Sequence, residues 1–129
     1  MKIEHIAIWT KNLEQLKEFY ENYFDATSNE LYTNQKKNFQ SYFLTFDSGA
    51  RLEIMQRPDI ESASKSPEKE YFGYAHLAIS VDSEEKVNEL TEILRNDGFP
   101  ILDGPRRTGD GYYESVVSDP DGNRVEITT

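Results

Sequence analysis

The chain has 129 residues, 36% hydrophobic and 12% aromatic, with 24 acidic against 14 basic side chains and a formal net charge of −10. This length suits one domain with a sizeable core, and the aromatic content separates it from acidic disordered chains. The charge disfavours nucleic acid and anionic membranes, leaving small molecules or proteins as partners, and the absence of cysteine excludes disulfides, thiolate metal sites and cysteine nucleophiles.

A strand is predicted from Lys2 to Thr10, with Ile3, His5, Ala7 and Trp9 on one face and Ile6 and Ile8 on the other. Asn12 then caps a helix whose apolar stripe is Leu13, Leu16, Phe19 or Tyr20, and Tyr23. The runs SYFLTF and RLEIM are strands joined by a hairpin turn at Asp47-Ser48-Gly49-Ala50. With ELYT at 30–33 as a further short strand, the first half reads βαβββ. The run RPDIESASKSPEKE that follows is a polar connector without a motif.

The second half repeats the order. GYAHLAISV is a strand, Ser83 caps a helix with Glu84 and Glu85 in its first turn, and Val87, Leu90 and Leu94 are its stripe. Asp97-Gly98 ends that helix, Phe99 to Leu102 is a short strand, and YYESVVS turns through residues 119–123 into RVEIT. The segment 106–115, RRTGDGYYES, is read as a glycine-containing connector, with a lid as the alternative. Residues 119–123 form a turn and lack the alternating carboxylates of a calcium loop. The expected organisation is one domain, 1–129, with module 1 at about 1–57, a connector at about 58–72 and module 2 at about 73–129.

The two halves share their chemistry as well as their order. The only two histidines occupy the same place in EHIAIWT and AHLAISV, and the glutamates of RLEI and RVEI follow them by 48 and 50 positions. Strand alternation sets Leu52 and Ile54 opposite Glu53, and Val125 and Ile127 opposite Glu126. It likewise directs His5 and His76 away from the helix-covered face. A carboxylate inside a cavity needs a cation or a hydrogen-bond donor, and two imidazoles with two carboxylates suit a divalent transition metal. Same-face neighbours that would line such a cavity are Ala7, Trp9, Ala78 and Met55, joined by Tyr42 and Leu44 if Leu44 pairs with Glu53.

These stretches resemble the vicinal oxygen chelate superfamily, most closely its glyoxalase I (lactoylglutathione lyase) branch. The likeness rests on EHIAIWTKNLEQLKEFYENYF, FDSGARLEIM, GYAHLAISVDS and DPDGNRVEI. It implies an α+β fold of two tandem βαβββ modules forming a half-open, barrel-like sheet around a metal. It also implies His5, Glu53, His76 and Glu126 as metal ligands, with nickel, zinc or cobalt expected. The implied reaction is proton transfer beside a carbonyl, through an enediolate, on a 2-oxoaldehyde–thiol adduct or similar substrate. Glu126 is the expected base and Glu53 its pseudo-symmetric partner. An epimerase, thiol transferase or dioxygenase of the same superfamily, or a non-catalytic small-molecule-binding protein, is the alternative. Glutathione-using relatives often carry Arg four residues after the first ligand histidine and Asn four after the first ligand glutamate. Trp9 and Arg57 stand there instead, so another thiol adduct, a CoA-like ester or a smaller anionic carbonyl compound is expected, with Arg57 as an anion partner. A homodimer is implied, and the charged amino terminus, with no long apolar run, leads us to expect a cytoplasmic protein.

Overall fold

Each helix begins on the polar side chain the sequence offers as its cap. In the computed structural model, which describes residues 1–63 and 65–129, the Asn12 side chain accepts from the Gln15 amide at 3.1 Å. The Ser83 hydroxyl accepts from the Lys86 amide at 3.2 Å. Each bond satisfies one of the amides a helix start leaves unpaired. The chain divides into two compact units, one from Met1 to Ala63 and one running on to Thr129. The connector expected at 58–72 includes residue 64, which lies outside the described residues.

The first unit contains β1 (His5–Trp9), α1 (Leu13–Phe24), β2 (Thr27–Ser28), β3 (Tyr32–Asn34), β4 (Phe39–Thr45) and β5 (Arg51–Gln56). Its sheet runs β1-β5-β4-β2, with β3 also on β4. The first strand is parallel to β5, and β4 is antiparallel to β5. Helix α1 buries Leu13, Leu16, Phe19, Tyr20 and Phe24 over Leu44, Leu52 and Ile54, which are buried too. The opposite face of β1 leaves His5, Ala7 and Trp9 exposed. One strand more than expected follows the helix. Thr27 and Ser28 pair with Thr45 and Leu44, tied down by the Ser28 hydroxyl donating to Glu21 at 2.7 Å. Two polar residues carry no period, so nothing in the local pattern announces β2.

The second unit contains β6 (Leu77–Ser80), α2 (Glu84–Asn96), β7 (Ile101–Arg107), β8 (Tyr113–Ser118) and β9 (Arg124–Thr128), in the order β6-β9-β8-β7. This is the expected βαβββ. Val87, Leu90, Thr91 and Leu94 form the buried stripe of α2. The buried Thr91 hydroxyl meets the Val87 carbonyl and the Ser115 hydroxyl, each at 2.6 Å, locking the helix to β8.

Strand β7 extends five residues past the expected end at Leu102, to Arg107. Pro105 hides the continuation, because proline is tolerated in a sheet only at an edge or a bulge; β7 is both. Its register against β8 shifts between Ile101 and Asp103 and again between Asp103 and Arg106. Gly104 sits within that irregularity at φ +76, where an added Cβ would lie 2.5 Å from the Glu114 carbonyl oxygen. Residues 106–115 are therefore the end of a hairpin, closed by the Thr108 amide on the Tyr112 carbonyl at 2.8 Å.

Both sheets are mixed and neither is closed, giving the α+β class expected. Among the described residues no helix is long and apolar enough to cross a membrane.

Candidate functional site

On β5, Leu52 and Ile54 are buried beneath α1, and the alternation turns Glu53 to the other face. His5, at the start of β1, meets it there: His5 Nε2 stands 3.7 Å from a Glu53 carboxylate oxygen. The second unit repeats the arrangement on β9, where Val125 and Ile127 are buried and His76, just before β6, places Nε2 3.4 Å from Glu126. The glutamates are 15% and 16% exposed and the histidines 40% and 43%, so each carboxylate is mostly desolvated while its imidazole remains reachable.

The other ring nitrogen of His5 is already engaged. Nδ1 hydrogen-bonds to Glu4, which also accepts from Arg51 Nε at 2.8 Å. The bond to His5, then that to Arg51, holds the Glu4 carboxyl below its ordinary range. A carboxylate on Nδ1 fixes the tautomer that leaves the Nε2 lone pair free for a ligand. The edge of Phe43 packs on the His5 ring with centroids 5.3 Å apart, and the Arg51 guanidinium lies 4.1 Å over Phe43.

The donor chemistry fits a divalent ion pair by pair. Two donors at normal bond length from a shared tetrahedral ion stand roughly 3.4 Å apart, close to both imidazole–carboxylate separations. Each unit supplies two such donors. Among the described residues no group of three or more histidine, aspartate or glutamate side chains is gathered to hold a metal.

The register corrects two expected cavity residues. Leu44 pairs with Leu52, and Phe43 pairs with Glu53. A shift of one residue exchanges the faces of a strand, so Leu44 is fully buried and Tyr42 buried on the helix side. There the Tyr42 hydroxyl donates to Glu14 at 2.7 Å. Glu14 raises the tyrosine's pKa through that bond, with burial second. Phe43 and Ser41 hold the positions assigned by sequence to Leu44 and Tyr42. Trp9 and Met55 pair across β1 and β5 and share Glu53's face. Trp9 is 40% exposed, meets Phe39 edge-on at 6.1 Å, and has the Arg57 guanidinium 5.4 Å from its ring. Arg57 also pairs with Asp59 at 2.5 Å.

The second unit carries a carboxylate that sequence reasoning missed. Val116 pairs with Glu126 and Glu114 with Thr128, which sets Glu114 diagonally from Glu126 on the same face. Burial, then the charge of Glu126, pushes the Glu114 carboxyl above its ordinary value, against the pull of Arg106. Glu114 lay where the run YYESVVS overlaps the segment 106–115 read as a connector; the only sequence signal was its place two residues before Val116 in an alternating run. The arginines of that segment are paired, Arg106 with Asp103 at 2.5 Å and Arg107 with Glu84.

A model of the Glyoxalase/Bleomycin resistance protein/Dioxygenase superfamily matches residues 2–127. The fold is similar to that of the trypanothione-dependent glyoxalase I of Leishmania major, at 24% identity and TM-score 0.76 over 98% of this chain and 85% of that one. It is also similar to a glyoxalase family protein from Enterococcus faecalis, at 25% identity and TM-score 0.77 over 99% and 97% of the two chains. A 58-residue stretch is 36% identical to the uncharacterized protein YqjT of Bacillus subtilis (strain 168), and spans 43% of this chain and 45% of that protein.

Proposed function

The chain belongs to the Glyoxalase/Bleomycin resistance protein/Dioxygenase superfamily, and on that premise we propose a metal-dependent lyase or isomerase of the glyoxalase I kind. Its substrate would be a thiol adduct of a 2-oxoaldehyde or a related carbonyl compound. The observation that supports this most is recurrence: an imidazole Nε2 faces a mostly buried carboxylate at 3.7 Å in one unit and 3.4 Å in the other.

His5, Glu53, His76 and Glu126 would hold the ion, with nickel, zinc or cobalt the candidates. A bound ion supplies polarisation of the substrate's carbonyl oxygen. Glu126 takes the proton from the carbon beside that carbonyl and returns it to the neighbouring carbon, and Glu53 is its counterpart in the repeat. Glu4 holds the His5 ring in place. Trp9 and Met55 offer apolar contact on the face that carries Glu53, with Arg57 and Phe43 beside them. One chain carries all four donors, and we propose separately that the working protein is a homodimer located in the cytoplasm.

The test is metal analysis of protein purified without a histidine tag, followed by assay with methylglyoxal and a panel of thiols. A bound divalent ion and turnover of at least one adduct are expected. A full metal complement with no turnover of any adduct would contradict the lyase reading and favour another metal enzyme of the superfamily. Metal-free protein that binds apolar ligands tightly would favour a binding protein without chemistry.

A further inference from the structure

The two units repeat their donors and their buried rows, Leu52 with Ile54 in one and Val125 with Ile127 in the other, but not the next row on the donor face. In the first unit Trp9 pairs with Met55, Met55 with Ser41, and Ser41 with Tyr32. This row lies two residues, about 7 Å, along the strands from Glu53. The matching row of the second unit is Ser80, Thr128, Glu114 and Arg106, which carries no aromatic ring. What the fold and the donor set require recurs in both units, so the aromatic row of the first answers to another demand.

Three rings build that surface. Phe39, two residues before Ser41 on β4, meets Trp9 across β5 with centroids 6.1 Å apart and planes at 90°. It also meets Tyr32, at 6.1 Å and 62°. Met55, on the strand between Trp9 and Phe39, adds a polarisable thioether suited to aromatic neighbours. The Arg57 guanidinium stands 5.4 Å from the Trp9 ring, and Asp59 neutralises it at 2.5 Å. Trp9 and Tyr32 are exposed, so the strip is reachable from the face that carries Glu53. Two rings at a right angle make a corner: a third flat ring can lie along one of them while it meets the other edge-on, and aromatic rings favour both arrangements.

We propose that Trp9, Phe39, Tyr32 and Met55 form a subsite for a flat, uncharged aromatic ring carried by the substrate. This rests on the lyase reading above. Three rings and a thioether present no charge, and the one cation beside them is paired, so a neutral ring is the group that loses least on leaving water. Its flatness matters because a puckered ring of the same size gains apolar burial but no stacking or edge-on contact. A ring attached to the reacting carbons directly, or through sulfur and one methylene, reaches from the row of Glu53 to this one. It can therefore enter on the aldehyde-derived or on the thiol-derived side.

Two matched pairs of adducts test this. Phenylglyoxal and cyclohexylglyoxal with 2-mercaptoethanol place a flat or a puckered ring on the aldehyde side; benzyl and cyclohexylmethyl mercaptan with methylglyoxal place it on the thiol side. The metal-loaded wild type should prefer the flat ring by about ten-fold in kcat/KM in at least one pair, which identifies the side, mainly through KM. In Trp9→Leu and in Phe39→Leu that preference should fall below about two-fold, whereas Trp9→Phe, which keeps a ring, should retain most of it. Binding is read without turnover from the thioester products of the same four adducts. Trp9 is the only tryptophan, so its emission should shift with the flat-ring thioesters, and calorimetry should rank them above the puckered ones. Equal affinity for flat and puckered thioesters in both pairs, or a preference that survives in Trp9→Leu and Phe39→Leu, overturns the assignment. So does a Trp9→Leu protein that sediments as a monomer and loses flat-ring and puckered-ring substrates together, which would assign the strip to contact between copies of the chain. Ring-selective binding that is lost in the leucine variants, with no turnover of any adduct, sinks the lyase reading and leaves the subsite standing. Turnover of all four adducts without ring preference does the reverse.

Discussion

A histidine serves a metal when one ring nitrogen is held and the other is free, and His5 meets that condition through Glu4. We expect His5→Ala and His76→Ala to lower metal occupancy, because each deletes a neutral donor that water replaces poorly. Glu126→Gln should remove turnover more completely than it removes metal, since an amide keeps a carbonyl donor but cannot take the proton; unchanged kcat would refute the base assignment. Tyr42 gives the control. Its hydroxyl is spent on Glu14 at 2.7 Å on the helix side, so Tyr42→Phe should cost about 0.5–1.5 kcal/mol in urea unfolding and leave kcat/KM unchanged. The four donor candidates were legible as residues, because only repeated type, spacing and strand parity were needed. Tyr42 and Leu44 were misplaced because pairing across a hairpin depends on where its turn closes, and one residue of slip exchanges the faces. Glu4 gave no signal, since its role depends on the side chains of His5 and Arg51 meeting it.

Element by element, the strong periods were readable. Both caps and the stripe of α2 follow from residue type and 3.6-residue spacing, as does that of α1 except at its end, where Phe24 and not the expected Tyr23 is buried, and the buried rows of β5 and β9 follow from alternation. The difficult strand was β7, where Gly104 and Pro105 interrupt the pattern and two register shifts carry the pairing on to Arg107. Gly104→Ala should destabilise the protein by at least about 1–2 kcal/mol, because the residue is held at positive φ against the backbone of β8. A melting temperature equal to that of the wild type would contradict that packing. The turn between β8 and β9 offers a pH test. Asp119 is buried and accepts from the Asn123 amide at 2.8 Å, and burial, the largest influence, raises its pKa above the ordinary 3.8. A carboxyl whose pKa is higher in the folded state binds more protons folded than unfolded. Its contribution to stability is therefore greatest below 3.8 and is lost as pH rises through the raised value. Relative to Asp119→Asn, the wild type should lose stability across that window in urea unfolding. A pH-independent difference would show that Asp119 titrates normally.

At the scale of the whole molecule, duplication is the organising fact. Order, alternation and local sequence recur, so the twofold βαβββ plan could be read from 129 letters, whereas β2, two residues long at a sheet edge, could not. Each unit carries an imidazole and a carboxylate that fit an ion as a pair, and the proposed centre takes both pairs. Sedimentation of metal-loaded protein should give a dimer, and a monomer that retains full turnover would contradict the proposed homodimer. The most direct measurement is metal stoichiometry and affinity in the wild type, His5→Ala and His76→Ala, each purified without a tag and titrated with nickel or zinc. The account predicts about one ion per chain in the wild type and a comparable loss of affinity in both variants, since the donor set draws equally on the two units. Loss in one variant with full retention in the other, or no binding by the wild type at all, would contradict it.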